Sequence, residues 1–520
     1  MKQGKVWLVG AGPGDPGLFT LKGKKILSQA EVVVYDSLVG DGVLAMIPEN
    51  ARLINVGKRA GNHIMRQEQI NETLLQEAQK GFRVVRLKGG DPFLFGRGGE
   101  ELELLTREGI PYEIVPGVTS SIAVPAYNGI PVTHRDFCSS VHIITGHKRA
   151  GEELKMDFDA LVRTEGTLVF LMGVSAMPDI LKGLRKAGMD ENMPAAILQQ
   201  GTTAGQRRVV ATISTLEEKA AQAGIGTPAI IVVGKVCQLA EEFAWYEKLP
   251  LSGYKVMVTR PRELVSAMAQ KLRDQGAEVL ELPAIATRAI ENNRAFEAAL
   301  EQIQTYNWIA FTSPTGVRIF FEALKKAKKD VRCLGNARVA AIGQGTKKAL
   351  EEIGILVDLM PEVYDGASLG KALAAACAPG ERILLPRAAL GNREILEALA
   401  EGPQLQVEDV ATYETYYPRQ EVIDQTRKFE TGEIDCAVFT SASTVRGFAK
   451  AAPDLDYTQV VAACIGKQTR EAALKLGMKA YMAKEATMDS VVDLVVELAE
   501  RKKKDDRYGN DHETQKAAQQ

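Results

Sequence analysis

Apolar runs and amphipathic stretches alternate along roughly the first 246 residues. Val6–Val9, Val32–Tyr35, Val84–Leu87, Val141–Ile144, Leu168–Leu171 and Ile230–Val233 are short, continuous and rich in branched residues, the pattern of strands covered on both faces. Between them, Ile70–Gln79 and Met177–Ala187 carry apolar residues at helical spacing. This alternation predicts an α/β fold. Gly129-Ile-Pro-Val-Thr-His134 interrupts it and predicts a hinge between two subdomains, about 1–132 and 133–248. A second interruption, Leu249-Pro-Leu-Ser-Gly253, precedes a new strand in Lys255–Arg260.

The rest of the chain repeats itself. Phe311-Thr-Ser-Pro-Thr-Gly-Val-Arg recurs as Phe439-Thr-Ser-Ala-Ser-Thr-Val-Arg. Ala341-Ile-Gly-Gln-Gly-Thr recurs as Cys464-Ile-Gly-Lys-Gln-Thr, and Val258-Thr-Arg-Pro more faintly as Leu385-Pro-Arg-Ala. Three echoes in one order predict two similar α/β lobes with a cleft between them. From residue 501 the chain is charged and has no apolar period, which predicts a disordered tail over 501–520.

Composition narrows the function. Against 64 lysines and arginines stand 66 acidic residues, so the net charge of −2 gives no global field for nucleic acid or a membrane surface. No uncharged run approaches the ~20 residues of a membrane span, and the N-terminus meets glycine and proline too early for a signal peptide. The six cysteines form no CxxC pair, which predicts reduced thiols in a cytoplasm rather than a disulfide frame or a zinc site. His134 and His147 lack metal-ligand spacing and read as structural; no metal is expected.

One stretch mixes residue types that no packed element uses. Arg86-Leu-Lys-Gly-Gly-Asp-Pro-Phe-Leu-Phe-Gly-Arg-Gly-Gly-Glu-Glu101 leaves a strand and opens into a glycine-rich turn rimmed by charge, the signature of a backbone that closely approaches a ligand. Upstream, Gly12-Pro-Gly14-Asp-Pro-Gly17 fits GxGxxG, with Asp36 nineteen residues beyond it. On pattern alone this is a dinucleotide fingerprint, and a dinucleotide-dependent oxidoreductase is one reading. Pro13 and Pro16 oppose it, because that loop works by aiming N–H groups at a pyrophosphate and proline has none. A two-lobed small-molecule binding protein is another reading.

Val9-Gly-Ala-Gly-Pro-Gly-Asp15, Val34-Tyr-Asp-Ser-Leu38, Val56-Gly-Lys-Arg-Ala60, the Gly89–Glu101 stretch, Pro116-Gly-Val-Thr-Ser120, Pro131-Val-Thr-His-Arg135 and Gly226-Thr-Pro-Ala229 occur in this order. Together, over residues 4–246, they resemble the uroporphyrinogen-III C-methyltransferases of the tetrapyrrole methylase family. The resemblance implies transfer of two methyl groups from S-adenosylmethionine to uroporphyrinogen III, giving precorrin-2 and S-adenosylhomocysteine, with the cofactor in a cleft between two α/β subdomains. It implies cofactor contacts from Pro13, Gly89, Gly90, Asp91, Leu94, Thr119, Ser120, Met172 and Gly201. The family usually has Thr-Ala where this chain has Thr119-Ser120, and often isoleucine at Leu94. It implies Asp36 as base, Lys58 as proton donor, Arg97 and Glu100 in ring contact and deprotonation, and Arg59 and Arg135 as partners of substrate carboxylates. A homodimeric methyltransferase half is also implied.

Val258-Thr-Arg-Pro261, Phe311-Thr-Ser-Pro314, Ala341-Ile-Gly343, Leu385-Pro-Arg387, Tyr413-Glu-Thr415, Phe439-Thr-Ser441 and Ile465-Gly466 resemble uroporphyrinogen-III synthase over about 253–499. This implies closure of hydroxymethylbilane to uroporphyrinogen III with loss of water. One lobe would comprise about 253–287 plus 418–499 and the other about 288–417, joined by two antiparallel strands near Ile285–Ala289 and Thr412–Pro418. Arg260, Ser313, Thr346, Arg387, Ser441 and Thr469 would bind substrate, and Tyr413 would assist departure of hydroxide. The whole is expected to be a bifunctional cytoplasmic enzyme of siroheme or cobalamin synthesis, with tetrapyrroles as its only partners beyond a second copy.

Overall fold

The computed structural model describes residues 4–57, 65–146, 154–259, 262–282, 286–416 and 422–517; side chains of 260–266 and of the chain beyond 505 are not described. Four five-stranded sheets organise these residues. The first contains β1 (Lys5–Gly10), β2 (Val32–Tyr35), β3 (Arg52–Asn55), β4 (Arg83–Lys88) and β5 (Tyr112–Val115), in the order β3-β2-β4-β1-β5. Every pairing in it is parallel. Its central strands bury Leu8, Val9, Val33, Val85 and Leu87 completely. Full burial of one such side chain contributes ~1.5–3 kcal/mol, so sequence continuity in these strands dictates their central place.

The second sheet holds β6 (Val141–Thr145), β7 (Thr167–Leu171), β8 (Pro194–Gln199), β9 (Arg207–Thr212) and β10 (Ala229–Val233), in the order β6-β7-β10-β8-β9. Only β6 and β7 run parallel; β10 is antiparallel to both β7 and β8, and β8 to β9. Gly129, at φ +70°, lies between the sheets in the chain and packs against the backbone of Ala240, Phe243 and Ala244, so close that a Cβ would meet them at 2.7–2.8 Å.

The third sheet is split in sequence. It begins with β11 (Lys255–Val258) and β12 (Glu278–Glu281). The chain then builds a separate compact unit, Ile285–Pro418, around β13 (Ala286–Ala289), β14 (Trp308–Phe311), β15 (Arg338–Ala341), β16 (Arg382–Ala388) and β17 (Gln406–Tyr416). It returns with β18 (Cys436–Phe439), β19 (Val461–Cys464) and β20 (Lys479–Met482) to complete the third sheet. Antiparallel β13 and β17 pair Ala286 with Tyr416 and Ala289 with Tyr413.

The sequence echoes have a structural counterpart. The third sheet runs β12-β11-β18-β19-β20 and the fourth β13-β17-β16-β14-β15. Setting β11, β12, β18 and β19 against β16, β17, β14 and β15 gives the same four-strand order. In both copies a serine caps the helix after the third strand: Ser313 accepts from Gly316 N at 3.0 Å, and Ser441 from Thr444 N at 3.3 Å.

The last helix runs Met488–Ala517, past residue 501 where the tail is expected to begin. Its first turns bury Val491, Val495 and Ala499 against the third sheet's core. No helix among the described residues is long and apolar enough to cross a membrane. All six cysteines are free thiols, and no group of metal-ligating side chains occurs among the described residues.

Candidate active site

The carboxyl ends of the first sheet's strands meet one end of the second sheet's interior strands around a cavity of about 600 Å³. From the first sheet, β1 is followed by Gly12 and Pro13, β2 by Asp36 and Leu38, and β4 by Gly89, Gly90, Asp91 and Leu94. Thr119 and Ser120, at the start of the helix Ser120–Tyr127, come after β5. From the second sheet come Met172 beyond β7, Gly201 beyond β8, and Thr227 to Ile230 leading into β10. All nine residues expected at the cofactor therefore line one cavity, with Asp36 and Arg97 beside them. Open α/β sheets place ligands at this end of their strands.

Two loops are locked together at the floor. Gly12 N donates to Gly90 O at 3.2 Å, and Gly90 N to Gly12 O at 2.8 Å. Gly90 has φ +67° and its missing side chain would meet nothing within 4 Å, so this backbone presents an open face to the cavity. Gly89 is the opposite case: a Cβ there would strike Leu38 at 2.6 Å. Asp91 works from below. Its carboxylate accepts from Phe93 N at 2.8 Å, Leu94 N at 3.1 Å and Gly117 N at 3.0 Å, so it shapes the turn and its side chain is already satisfied. Phe95, Arg97, Met172 and Gln200, non-glycine residues at positive φ, also line the cavity, a concentration of backbone strain found at ligand sites.

The Gly12–Gly17 loop does not serve as a dinucleotide loop. Pro16 opens a short 3-10 turn capped by Asp15, and the next helix starts only at Leu21 under Thr20. No helix N-terminus is aimed from the glycines, as pyrophosphate binding requires.

Sequence reasoning passed over the charges beneath the cavity. Arg86 and Lys88 lie two apart on β4, hence on one face, and are 3% and 5% exposed. Glu101 is fully buried; its Oε1 accepts from Lys88 Nζ at 2.8 Å, Arg86 Nε at 3.2 Å and Gln67 Nε2 at 3.3 Å. Arg86 Nη2 stands 3.4 Å from Asp36 Oδ2, and Leu38 N donates to Asp36 Oδ1 at 3.0 Å. Burial and the neighbouring Arg86 pull the Lys88 ammonium below the ordinary lysine range, with Glu101 opposing. The available signal was the placement of Arg86 and Lys88 on either side of Leu87, in the half of β4 that runs on from the apolar Val84-Val85 pair.

At the rim, Arg97 Nε donates to Glu100 at 2.9 Å. This exposed pair raises the arginine and lowers the carboxyl, each mainly through the hydrogen bond to the other. Arg97 lines the cavity whereas Glu100 does not. Arg135 sits in an exposed turn apart from the lining residues. Lys58, Arg59, His147 and Arg260 fall outside the described residues.

In the separate unit, Tyr413 is 6% exposed and its hydroxyl is 2.7 Å from Ser313 Oγ. Arg387 gives Nε and Nη2 to Asp409 at 2.5 and 2.6 Å and Nη1 to Asn392 O at 2.7 Å, which occupies every guanidinium nitrogen. Thr346 and Thr469 are buried in the first turns of Gln344–Glu351 and Lys467–Lys475. Ser441 Oγ is 2.8 Å from Ser443 Oγ.

Residues 5–217 match the family described as Tetrapyrrole (Corrin/Porphyrin) Methylases, and residues 266–493 that described as Uroporphyrinogen-III synthase HemD. The porphyrin biosynthesis protein HemD of Ruminiclostridium josui is 46% identical over 498 residues, covering 96% of this chain and 99% of the relative. This chain belongs to that family. It joins a tetrapyrrole methylase half to a uroporphyrinogen-III synthase half. The uroporphyrinogen-III C-methyltransferase of Bacillus subtilis (strain 168) is 42% identical over 358 residues, 69% of this chain and 73% of that protein. A Thermus thermophilus uroporphyrin-III C-methyl transferase, crystallised with S-adenyl homocysteine, is 40% identical; the likeness covers 45% of this chain and 99% of that one at a TM-score of 0.40. The glycine-lined cavity lies wholly in the methylase half. Ser313, Thr346, Arg387, Tyr413, Ser441 and Thr469 lie in the synthase half.

Proposed function

We propose that the synthase half closes hydroxymethylbilane to uroporphyrinogen III with loss of water, and that the methylase half transfers two methyl groups from S-adenosylmethionine to that product, giving precorrin-2. The observation that carries this reading is the convergence of all nine expected cofactor residues on one cavity with Asp36 at its floor.

The cavity suits the cofactor. Its ~600 Å³ is of nucleoside-ligand scale. Gly90 offers backbone with nothing in front of it, and Leu38, Val124, Leu171 and Ile230 give apolar wall. When bound, S-adenosylmethionine supplies a methyl group on a sulfonium sulfur, open to attack by an electron-rich pyrrole carbon. The protein's task is to hold the ring and manage charge. Asp36 places a carboxylate where positive charge grows on the ring and a proton must leave. Arg86 fixes that carboxylate from beneath at 3.4 Å. Arg97 offers a guanidinium to a substrate carboxylate at the mouth, with Glu100 holding its fork. Lys58 as proton donor and Arg59 and Arg135 as carboxylate partners belong to the same reading.

The synthase half would work mainly by holding an eight-carboxylate chain in a curled shape. Helix starts after Ser313, Gly343, Ser441 and Gly466 offer N–H groups to carboxylates. Arg260, Thr346 and Thr469 complete the proposed substrate set, Arg387 being taken up by Asp409 and Asn392, and Tyr413 is the acid for departing hydroxide. We place the enzyme in the cytoplasm, on a siroheme or cobalamin route, with the methylase half dimeric.

The test supplies hydroxymethylbilane and methyl-labelled S-adenosylmethionine together under reducing conditions. A doubly labelled macrocycle is expected, and Asp36→Asn should stop labelling while cyclisation continues. Nicotinamide binding without adenosylmethionine binding would overturn the reading in favour of an oxidoreductase.

A further inference from the structure

Lys255 and Glu278 open the adjacent strands β11 and β12 and stand opposite one another in the register. Both belong to the synthase half, at the amino end of its sheet. The candidate synthase residue Ser441 follows the carboxyl end of β18, at the opposite end of the strands. Both charges are nevertheless directed into the methylase half. Lys255 Nζ is 2.7 Å from Glu278 Oε1 and 2.9 Å from Asp41 Oδ2. Lys428 Nζ reaches the same Asp41 oxygen at 2.7 Å and Glu433 Oε2 at 2.7 Å. Glu278 Oε2 accepts from the backbone N–H of Ala204 at 2.8 Å. The cluster is largely closed to solvent, since both lysine side chains are only 10% exposed. Burial opposes each charge, yet Lys255 is held above the ordinary lysine range by Glu278 and Asp41, and Asp41 below the ordinary carboxyl range by Lys255 and Lys428.

Asp41 and Ala204 do not line the cavity themselves, but each continues a segment that forms a different wall of it. Asp41 begins the helix Asp41–Leu44, directly after the segment that carries Asp36 and Leu38. Ala204 lies three residues beyond Gly201, in the loop between β8 and β9. The same loop grips the Gly-Pro-Gly-Asp turn, because Thr202 Oγ1 accepts from Asp15 N at 3.2 Å. Apolar contacts accompany the ions: Ala45 of the methylase half sits in the core of the third sheet, and Val422 of the synthase half packs on the core of the first.

We propose that the Lys255–Glu278 pair is a positioning element for methyl transfer, by which the synthase half spans both walls of the methylase cavity and sets their separation. The inference rests on the methyltransferase reading above. The mechanism is geometric. One ion pair holds one wall through Asp41 and the other through Ala204 N–H, so neither wall shifts without breaking a buried charged contact. Removing Glu278 releases Ala204 N–H, so that the Gly201–Ala204 loop keeps only its grip through Thr202 on Asp15 N, and leaves the Lys255 ammonium pulling on Asp41 alone. A displacement of about 1 Å at a binding wall is enough to change turnover by ~10²-fold. Such a substitution, made inside the synthase half, impairs methyl transfer and spares cyclisation.

The experiment uses the full chain. Glu278→Ala and Glu278→Gln are assayed for methyl transfer to supplied uroporphyrinogen III, for cyclisation of hydroxymethylbilane, and for calorimetric binding of S-adenosylhomocysteine. Glu278→Ala should raise KM for S-adenosylmethionine about tenfold, with a smaller fall in kcat, while cyclisation stays within about twofold. Glu278→Gln keeps an acceptor for Ala204 N–H and should lie between wild type and the alanine variant. Combining Asp41→Asn with Glu278→Ala should raise KM by less than the product of the single effects, because both act through one cluster. Unchanged KM and unchanged affinity in Glu278→Ala overturn the proposal, as does an equal loss of both activities in Glu278→Gln. Failure of the wild-type chain to bind S-adenosylhomocysteine would instead sink the methyltransferase reading.

Discussion

Glu101 holds Lys88 at 2.8 Å with one carboxylate oxygen, while its other oxygen is buried without a partner among the described residues. Two cations and one fully buried carboxylate thus form the base under the cavity. Removing one partner of such a group leaves uncompensated charge, at a cost of ~3–5 kcal/mol. Glu101→Ala should lower the denaturant midpoint of the methylase half sharply and abolish adenosylmethionine binding. Glu100→Ala, one residue earlier on an exposed face, should change stability by less than about 1 kcal/mol. Denaturation monitored by Trp7 fluorescence would compare them; equal effects would refute the buried role of Glu101.

Gly90→Ala separates backbone strain from ligand space. Its φ of +67° makes any side chain unfavourable, but no protein atom lies within 4 Å of the new Cβ. Stability should therefore fall by only ~1 kcal/mol. If the open face belongs to the cofactor, affinity for S-adenosylhomocysteine should fall far more than that strain accounts for. Calorimetry on the variant would decide, and unaltered affinity would remove Gly90 from the site.

Ser313 and Tyr413 allow a distinction between holding and catalysis. Ser313→Ala loses a helix cap, at ~1 kcal/mol, and one partner of the tyrosine. Tyr413→Phe loses only the hydroxyl. If Tyr413 protonates the leaving group, Tyr413→Phe should reduce kcat for cyclisation by at least about 100-fold, while Ser313→Ala retains most activity. Similar modest losses in both variants would make the 2.7 Å contact a structural bond alone.

Glu113 sets an acid-stability expectation. Lys22 and Lys5 hydrogen-bond to it at 2.6 and 2.7 Å and bring its carboxyl down to about 2. The folded pKa is below the unfolded one, so the stabilisation is complete above about pH 4.5 and is lost as pH falls toward 2. The group is near the surface, so the gain is under about 1 kcal/mol. Glu113→Gln should be slightly less stable than wild type at pH 6 and indistinguishable at pH 2.5. Thermal unfolding at both values tests this; a constant gap would contradict it.

The interior strands were legible because burial on both faces leaves continuous apolar runs, as in Val32–Tyr35 and Ile230–Val233. Tyr112–Val115 and Arg207–Thr212 were not, since each is an edge strand with partly exposed, polar positions. The Gly89-Gly90 turn could be read from its glycine and charge, whereas Thr119, Ser120, Met172 and Gly201 came only with the family resemblance. Glu101 could not be separated from Glu100 in a string of letters: a helical step turns one inward and leaves the other in water. Arg387 looked available in sequence, yet Asp409, supplied by a strand 22 positions on, engages it.

The nested plan of the duplicated lobes governs the order in which the molecule can be finished. Lys255 N donates to Asp435 at 2.6 Å across 180 residues of chain, and β11 finds its neighbour β18 only after the whole Ile285–Pro418 unit has been made. During translation, β11 and β12 must wait as an incomplete edge while the younger unit closes around its own core. Until then Lys255 has Asp41 and Glu278 for partners but no finished sheet behind it. Premature termination in that interval would leave a nascent chain with a complete inner lobe and an open outer one.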